Sequence, residues 1–159
     1  MHLEYIDVTG IPADHPVHLF QDSYSNLLCK NGTGWSEFDP LMVPRVLPYI
    51  SVIECAGSSV RDYRQILMGE MIKLLCGGNK TGLKLSEAFA PEALEQTIKA
   101  ISTAIKDHTP IYSKTSPPYA GREHVLAYRG FFPFLGAADG SHPEVSHIVL
   151  VAAETDTLV

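Results

Sequence analysis

"YISVIECAGSSVRDYRQILM", Tyr49–Met68, decides how this chain folds. It holds two runs rich in β-branched and apolar residues, 49–55 and 60–68, split by the turn-forming Ala-Gly-Ser-Ser at 56–59. Two such runs with a four-residue connection read as an antiparallel hairpin. Strict alternation places Tyr63, Gln65 and Leu67 on one face of the second run, and Arg64, Ile66 and Met68 on the other. From Gly69 the apolar period lengthens. Met71, Leu74 and Leu75 have helical spacing, and Gly77-Gly78 stops that helix.

Working outward, Pro16 suits a first helical turn. Val17, Phe20, Tyr24, Leu27 and Leu28 form an amphipathic stripe ended by Asn31-Gly32. His15 and His18 near its start read as a solvated face. Pro40, Pro44 and Pro48 break 32–50 into short helical turns, because each proline lacks an N–H and restricts its neighbour. After the hairpin, Ser86 reads as the cap of a short turn ending at Phe89. Pro91 opens a longer helix with Leu94, Ile98, Ile101 and Ile105 on one stripe. Three strands follow, in "PIYSKTS" (110–116), "EHVLAYRGFFPFLG" (123–136) and "EVSHIVLVAAE" (144–154), joined by the turn-rich "PPYAGR" and "AADGSHP". Helices and strands do not alternate, so the class is α+β with an antiparallel sheet, not a doubly wound parallel one. The organisation is an arm at 1–15, a helix and lead-in segment at 16–48, a core at 49–154 and a tail at 155–159.

Composition bounds the function. The chain has 159 residues, 45% of them hydrophobic and 19% charged, enough for one domain with a full core. Its net charge of −6 and the lack of any basic run argue against nucleic acid and against an anionic membrane surface. No apolar stretch approaches a membrane span, and "MHLEYIDVTG" has no leader pattern. Three widely spaced cysteines, Cys29, Cys55 and Cys76, fit reduced thiols in the cytoplasm.

"LLCGGNKTG", Leu74–Gly82, imitates a phosphate loop. A Walker loop needs glycine before its Lys-Thr pair and another five residues earlier. Asn79 and Leu74 occupy those positions, and a helix precedes the loop where a strand should. It reads as a helix stop. No G-x-S-x-G occurs, no cysteine has a recognisable histidine partner, and Glu92 and Glu95 read as a solvated helix face. The expectation is a protein without catalytic residues or a metal site.

"FDPLMVPRVLPYISVIEC" resembles the segment that leads into the first strand of a bacterial stand-alone PAS family. "YRQILMGEMIKLLCGGNKTGLKLSEAF" is similar to that family's next block, and "YRGFFPFLGAADG" and "VSHIVLVAAE" to its last two strands. Glu70 and Gln65 depart from the residues common there. The resemblance implies a five-stranded antiparallel sheet in the order 2-1-5-4-3, with helices over one face. It implies a cytoplasmic sensor or signalling module that binds a small apolar or amphipathic ligand, or a protein partner, and works as a homodimer. A ligand-free interaction adaptor is the alternative, and an enzyme on this fold a distant third. The expected pocket lining is Tyr63, Gln65, Leu67, Met71, Leu75, Phe89, Ile101, Tyr128 and Phe132. The expected dimer contact is Val17, Phe20, Tyr24, Leu27 and Leu28, with that helix packing on the sheet's open face or on a second subunit. Neither haem nor flavin is expected. Residues 69–107 hold no histidine to ligate haem, and Cys76 lacks the Asn-Cys-Arg-Phe setting of photoactive flavin domains.

Overall fold

A computed structural model describes residues 3–30, 34–116, 124–136 and 144–159, with the side chains of Cys29 and Lys30 left aside. Among the described residues six strands form one sheet: β1 (Leu3–Ile6), β2 (Ile50–Glu54), β3 (Arg64–Met68), β4 (Ile111–Thr115), β5 (Ala127–Leu135) and β6 (Val145–Glu154). Their order is β1-β4-β5-β6-β2-β3, and every pairing is antiparallel. The expected count of five strands is therefore corrected to six: the five expected strands, β2 to β6, run β3-β2-β6-β5-β4, which is 2-1-5-4-3, and β1 is added beside β4. The N-terminal arm supplies a sixth strand, pairing Leu3 to Thr115 and Ile6 to Tyr112 along the edge of β4. Linkers 117–123 and 137–143 lie outside the described residues.

Among the described residues four α-helices accompany the sheet: α1 (Pro16–Lys30), α2 (Glu70–Leu75), α3 (Leu85–Ala88) and α4 (Pro91–Asp107). Pro16 and Pro91 each open a helix, where a missing N–H costs nothing. His108 ends α4 in the left-handed conformation, φ 51°. Gly77 and Gly78 follow α2 with φ 81° and 146°, which an L side chain resists. Lys84 caps α3, its backbone N–H donating to Glu87 Oε1 at 2.9 Å, so the expected cap, Ser86, lies inside the helix. The prolines at 40–48 make short 3-10 turns at 40–42 and 47–49, as expected. The β2–β3 hairpin has a longer connection than four residues, because 60–62 coil into a further 3-10 turn.

Both faces of the sheet are covered, by two separate apolar clusters. On one face α2, α3 and α4 pack Ile72, Leu75, Leu85, Leu94 and Ile101 onto Ile53, Phe131, Ile148 and Leu150. On the other, α1 sets Val17, Phe20, Tyr24 and Leu27 against Val52, Phe132, Phe134, Val149 and Val151. Each such side chain contributes about 1.5–3 kcal/mol by leaving water, and the Tyr24 hydroxyl donates to the Pro133 carbonyl at 2.8 Å. Together these fix α1 on its own sheet.

His15, expected on a solvated helix face, is buried at the start of α1. Its Nδ1 accepts from the Val17 backbone N–H at 3.2 Å, and its Nε2 lies 3.0 Å from the Glu154 carbonyl. Because Nδ1 accepts, Nε2 carries the proton and donates. The ring is thus a neutral helix cap that also ties α1 to β6.

Candidate ligand pocket

The helix-covered face contains a cavity of about 40 Å³. Leu75 and Cys76 at the end of α2, Phe89 after α3, and Ala93, Gln96 and Thr97 on α4 form one wall. Thr115 and Ser116 at the end of β4, Ala127 and Arg129 on β5, and Leu150 and Ala152 on β6 form the other.

Sheet register explains why Arg129 is there. Tyr5, Ser113, Arg129 and Ala152 are paired successively across β1, β4, β5 and β6, so they form one row on the helix side. Arg129 Nε donates to Ser113 Oγ at 3.2 Å, and Cζ sits 5.2 Å from the Phe131 ring centroid. Nη2 is sealed from solvent and has no hydrogen-bond partner. The residue as a whole is only half-buried, and Nη2 is its sealed atom. Burial pulls the guanidinium down to about 10, opposed by Tyr5 and Cys76, and it remains a cation at neutral pH.

On the facing wall Thr97, on the second turn of α4, is 1% exposed and its Oγ1 is likewise buried without a partner. Burial pushes the Cys76 thiol up to about 11 despite Arg129 and Lys80, so it is neutral at pH 7. Among the described residues the cavity wall carries no carboxylate.

Of the nine expected lining residues, Leu75 and Phe89 line the cavity. Ile101 and Tyr63 belong to the same apolar cluster without lining it. Gln65 faces the helices but is already engaged, its Oε1 accepting from Ser51 Oγ at 2.8 Å. The other four are corrections. Tyr128 and Phe132 belong to the opposite cluster, under α1, because alternate residues of β5 face opposite ways. Leu67 and Met71 are 50% and 43% exposed. A register shift in the β2–β3 ladder brings Met68, rather than Leu67, inward beside Gln65.

Of the two placements expected for α1, the structure has the one on the sheet's own open face, which corrects four of the five expected dimer contacts. Val17, Phe20, Tyr24 and Leu27 are buried against their own sheet, and Leu28 is 61% exposed. Glu70 opens α2, where a carboxylate suits the helix dipole, and pairs with Lys73 Nζ at 2.9 Å.

Sequence reasoning missed Arg129 and Thr97. Arg129 had a signal: one cation inside the apolar run of "LAYRGFFPFL". Thr97 had none, since threonine is common on solvated helix faces. Among the described residues no three His, Cys, Asp or Glu side chains cluster as for a metal, and no helix is long and apolar enough to cross a membrane.

No family model matches the chain, and no curated protein matches it. Among solved structures it is similar to a domain of an HTR-like protein from Haloarcula marismortui. That likeness is 14% identical, covers 67% of this chain and 97% of the other, and has a TM-score of 0.45. It is also similar to a sensory box sensor histidine kinase from Vibrio cholerae, at 15% identity over 82% of this chain and 94% of the other, with a TM-score of 0.46. At these TM-scores neither likeness carries weight for fold or function. The chain is an α+β protein with a six-stranded antiparallel sheet covered by helices on both faces.

Proposed function

We propose that this chain is a cytoplasmic sensor module of the PAS type. It takes a small ligand into the cavity between α4 and β5 and signals its occupancy to a protein partner or through a homodimer, with no catalysis and no haem, flavin or metal of its own. The observation that supports this is that Arg129 and Thr97 both line the cavity and each carries a buried polar atom without a partner, Nη2 and Oγ1. Each such group costs about 1–3 kcal/mol, more when charged. A wall that places both around one space is suited to an occupant that completes them. Such an occupant would touch the helix layer and the sheet together, so binding would bias how α4 sits on β5.

The test is to denature purified protein, identify released small molecules by mass spectrometry, and screen metabolites by thermal shift. A ligand at a hundred times its Kd adds about 2.7 kcal/mol, raising Tm by about 5–10 °C for a chain of this size. A protein that releases nothing and that no metabolite stabilises would count against sensing.

A second reading, a ligand-free interaction adaptor, is favoured by the cavity's size. At about 40 Å³ it is a small gap beside the buried cluster that holds Leu75, Leu85, Ile101 and Phe131. In that case water fills the gap, and partner binding is unchanged by any metabolite.

A further inference from the structure

We infer that the cavity's ligand is a short-chain carboxylate of two to four carbons, its carboxylate held between Arg129 Nη2 and Thr97 Oγ1 and its tail against Phe89, Leu150 and Ala152. This rests on the ligand-sensing reading and names its chemical class.

Charge comes first. Buried cations are paired almost without exception. Arg129 has spent Nε on Ser113 Oγ, a neutral partner, and no described cavity residue is an acid. Tyr5 and Cys76 are the acidic groups acting on it, and burial keeps the Cys76 thiol protonated. Among the described residues lining the cavity none supplies a counter-charge, and a bound anion would. Water could satisfy the hydrogen bonds but would leave the charge unpaired.

Geometry narrows the anion. A guanidinium is a planar donor fork that fits a carboxylate edge better than a point anion. The Thr97 hydroxyl, donating from the facing helix, suits the same carboxylate. A phosphate or sulfate carries further charged oxygens, and the described wall holds no second cation to meet them. An amino acid would bring an ammonium beside the guanidinium.

Size sets the tail. One water-sized position takes about 10–15 Å³ on this measure, so about 40 Å³ holds roughly three such positions. Acetate nearly fills it, and propionate or butyrate needs a modest shift of side chains. Of the remaining wall, Leu75, Phe89, Ala93, Ala127, Leu150 and Ala152 are apolar and suit a short alkyl tail, while Gln96, Thr115 and Ser116 are polar.

The experiment is calorimetry and thermal shift on the full chain, refolded to strip carried-over ligand. Sodium acetate, propionate and butyrate are compared with acetamide and propionamide, with sodium chloride and sulfate at matched ionic strength. The acids are expected to bind at least about tenfold more tightly than their amides, the worth of one charge-assisted contact. Arg129→Met is expected to lose that preference, Arg129→Lys to keep part of it, and Thr97→Val to weaken acid binding by about three- to tenfold. Unfolding midpoints of each variant separate lost binding from lost folding. Amides that bind as well as acids, sulfate that outcompetes propionate, or acid binding that survives Arg129→Met overturns the carboxylate assignment and leaves sensing intact. If neither acids, amides nor a wider metabolite set shifts the protein, and native protein releases nothing, both fall.

Discussion

In the ligand-free protein, replacing Arg129 with an apolar residue should cost little, and should stabilise once Ser113 is changed with it. Burial lowers the guanidinium from its ordinary 12.5 to about 10. At about 1.4 kcal/mol per pH unit, the charged form carries a penalty on the order of 3 kcal/mol. Two contacts oppose that. The Nε–H bond to Ser113 Oγ is worth about 1.5–3 kcal/mol as a charged donor. The cation over the Phe131 ring adds about 0.5–1 kcal/mol. Arg129→Met alone thus trades roughly equal quantities and leaves the buried Ser113 hydroxyl without its donor. Its stability should fall within about 1 kcal/mol of the parent. Arg129→Met with Ser113→Ala removes that orphan and should gain about 1–3 kcal/mol, or several degrees in Tm. Urea unfolding read by circular dichroism, with and without propionate, is the assay. Propionate should stabilise the parent and neither variant, so their order reverses as the ligand is added. A loss of more than about 3 kcal/mol in both ligand-free variants would mean that Arg129 is a pillar of the fold, and the reasoning would fail.

Acid should act through His15. Burial lowers its pKa below 6.5, against the Glu154 and Ala153 carbonyls, so the unfolded chain binds a proton that the folded one refuses. Stability is full above pH 6.5 and falls as pH drops toward the folded pKa, by up to about 1.4 kcal/mol per pH unit. His147 is lowered in the same sense, again by burial, so the test is the difference between the parent and His15→Asn, whose slope in urea titrations should be shallower. An unchanged slope would contradict the neutral cap. Gly69→Ala should destabilise beyond the roughly 0.5–3 kcal/mol of ordinary substitutions, because its Cβ would lie 2.4 Å from the Leu47 carbonyl oxygen and 2.5 Å from that of Pro48. A Tm within a few degrees of the parent would refute this. In a Cys29→Ser background, iodoacetamide at pH 7.5 should modify Cys55 and Cys76 about a hundredfold more slowly than free cysteine, since burial holds them near 12 and 11. Mass spectrometry showing ordinary rates would sink that expectation.

Much of the fold is legible in the sequence because its signals are local. Pro16 and Pro91 mark helix starts, the double glycine at 77–78 a helix stop, and the runs around 49–68 a hairpin. The arm is not legible as a strand. Leu3–Ile6 is four residues long, and its pairing with β4 is a contact across more than a hundred residues. The site is less legible than the fold, for a physical reason. Alternation reports which face of a strand is buried only when the other face is wet. Here both faces of β5 are buried, one under α4 and the other under α1. "FFPF" therefore reads as a continuous apolar run, and nothing in it assigned Phe132 and Tyr128 to the α1 side. On β3 the register shift defeats strict alternation in the same way, moving Leu67 out and Met68 in. The informative residue was the exception in the pattern, Arg129, whose charge has no place in an apolar strand without a partner.

A crystal structure of the protein soaked in propionate, at a resolution that separates water from a planar group, tests the central claim most directly. The account predicts flat, three-pronged density within hydrogen-bonding distance of Arg129 Nη2 and Thr97 Oγ1, its tail running toward Leu150. Separate water peaks at those two atoms, or an acidic side chain of the chain itself paired with Arg129, would contradict it.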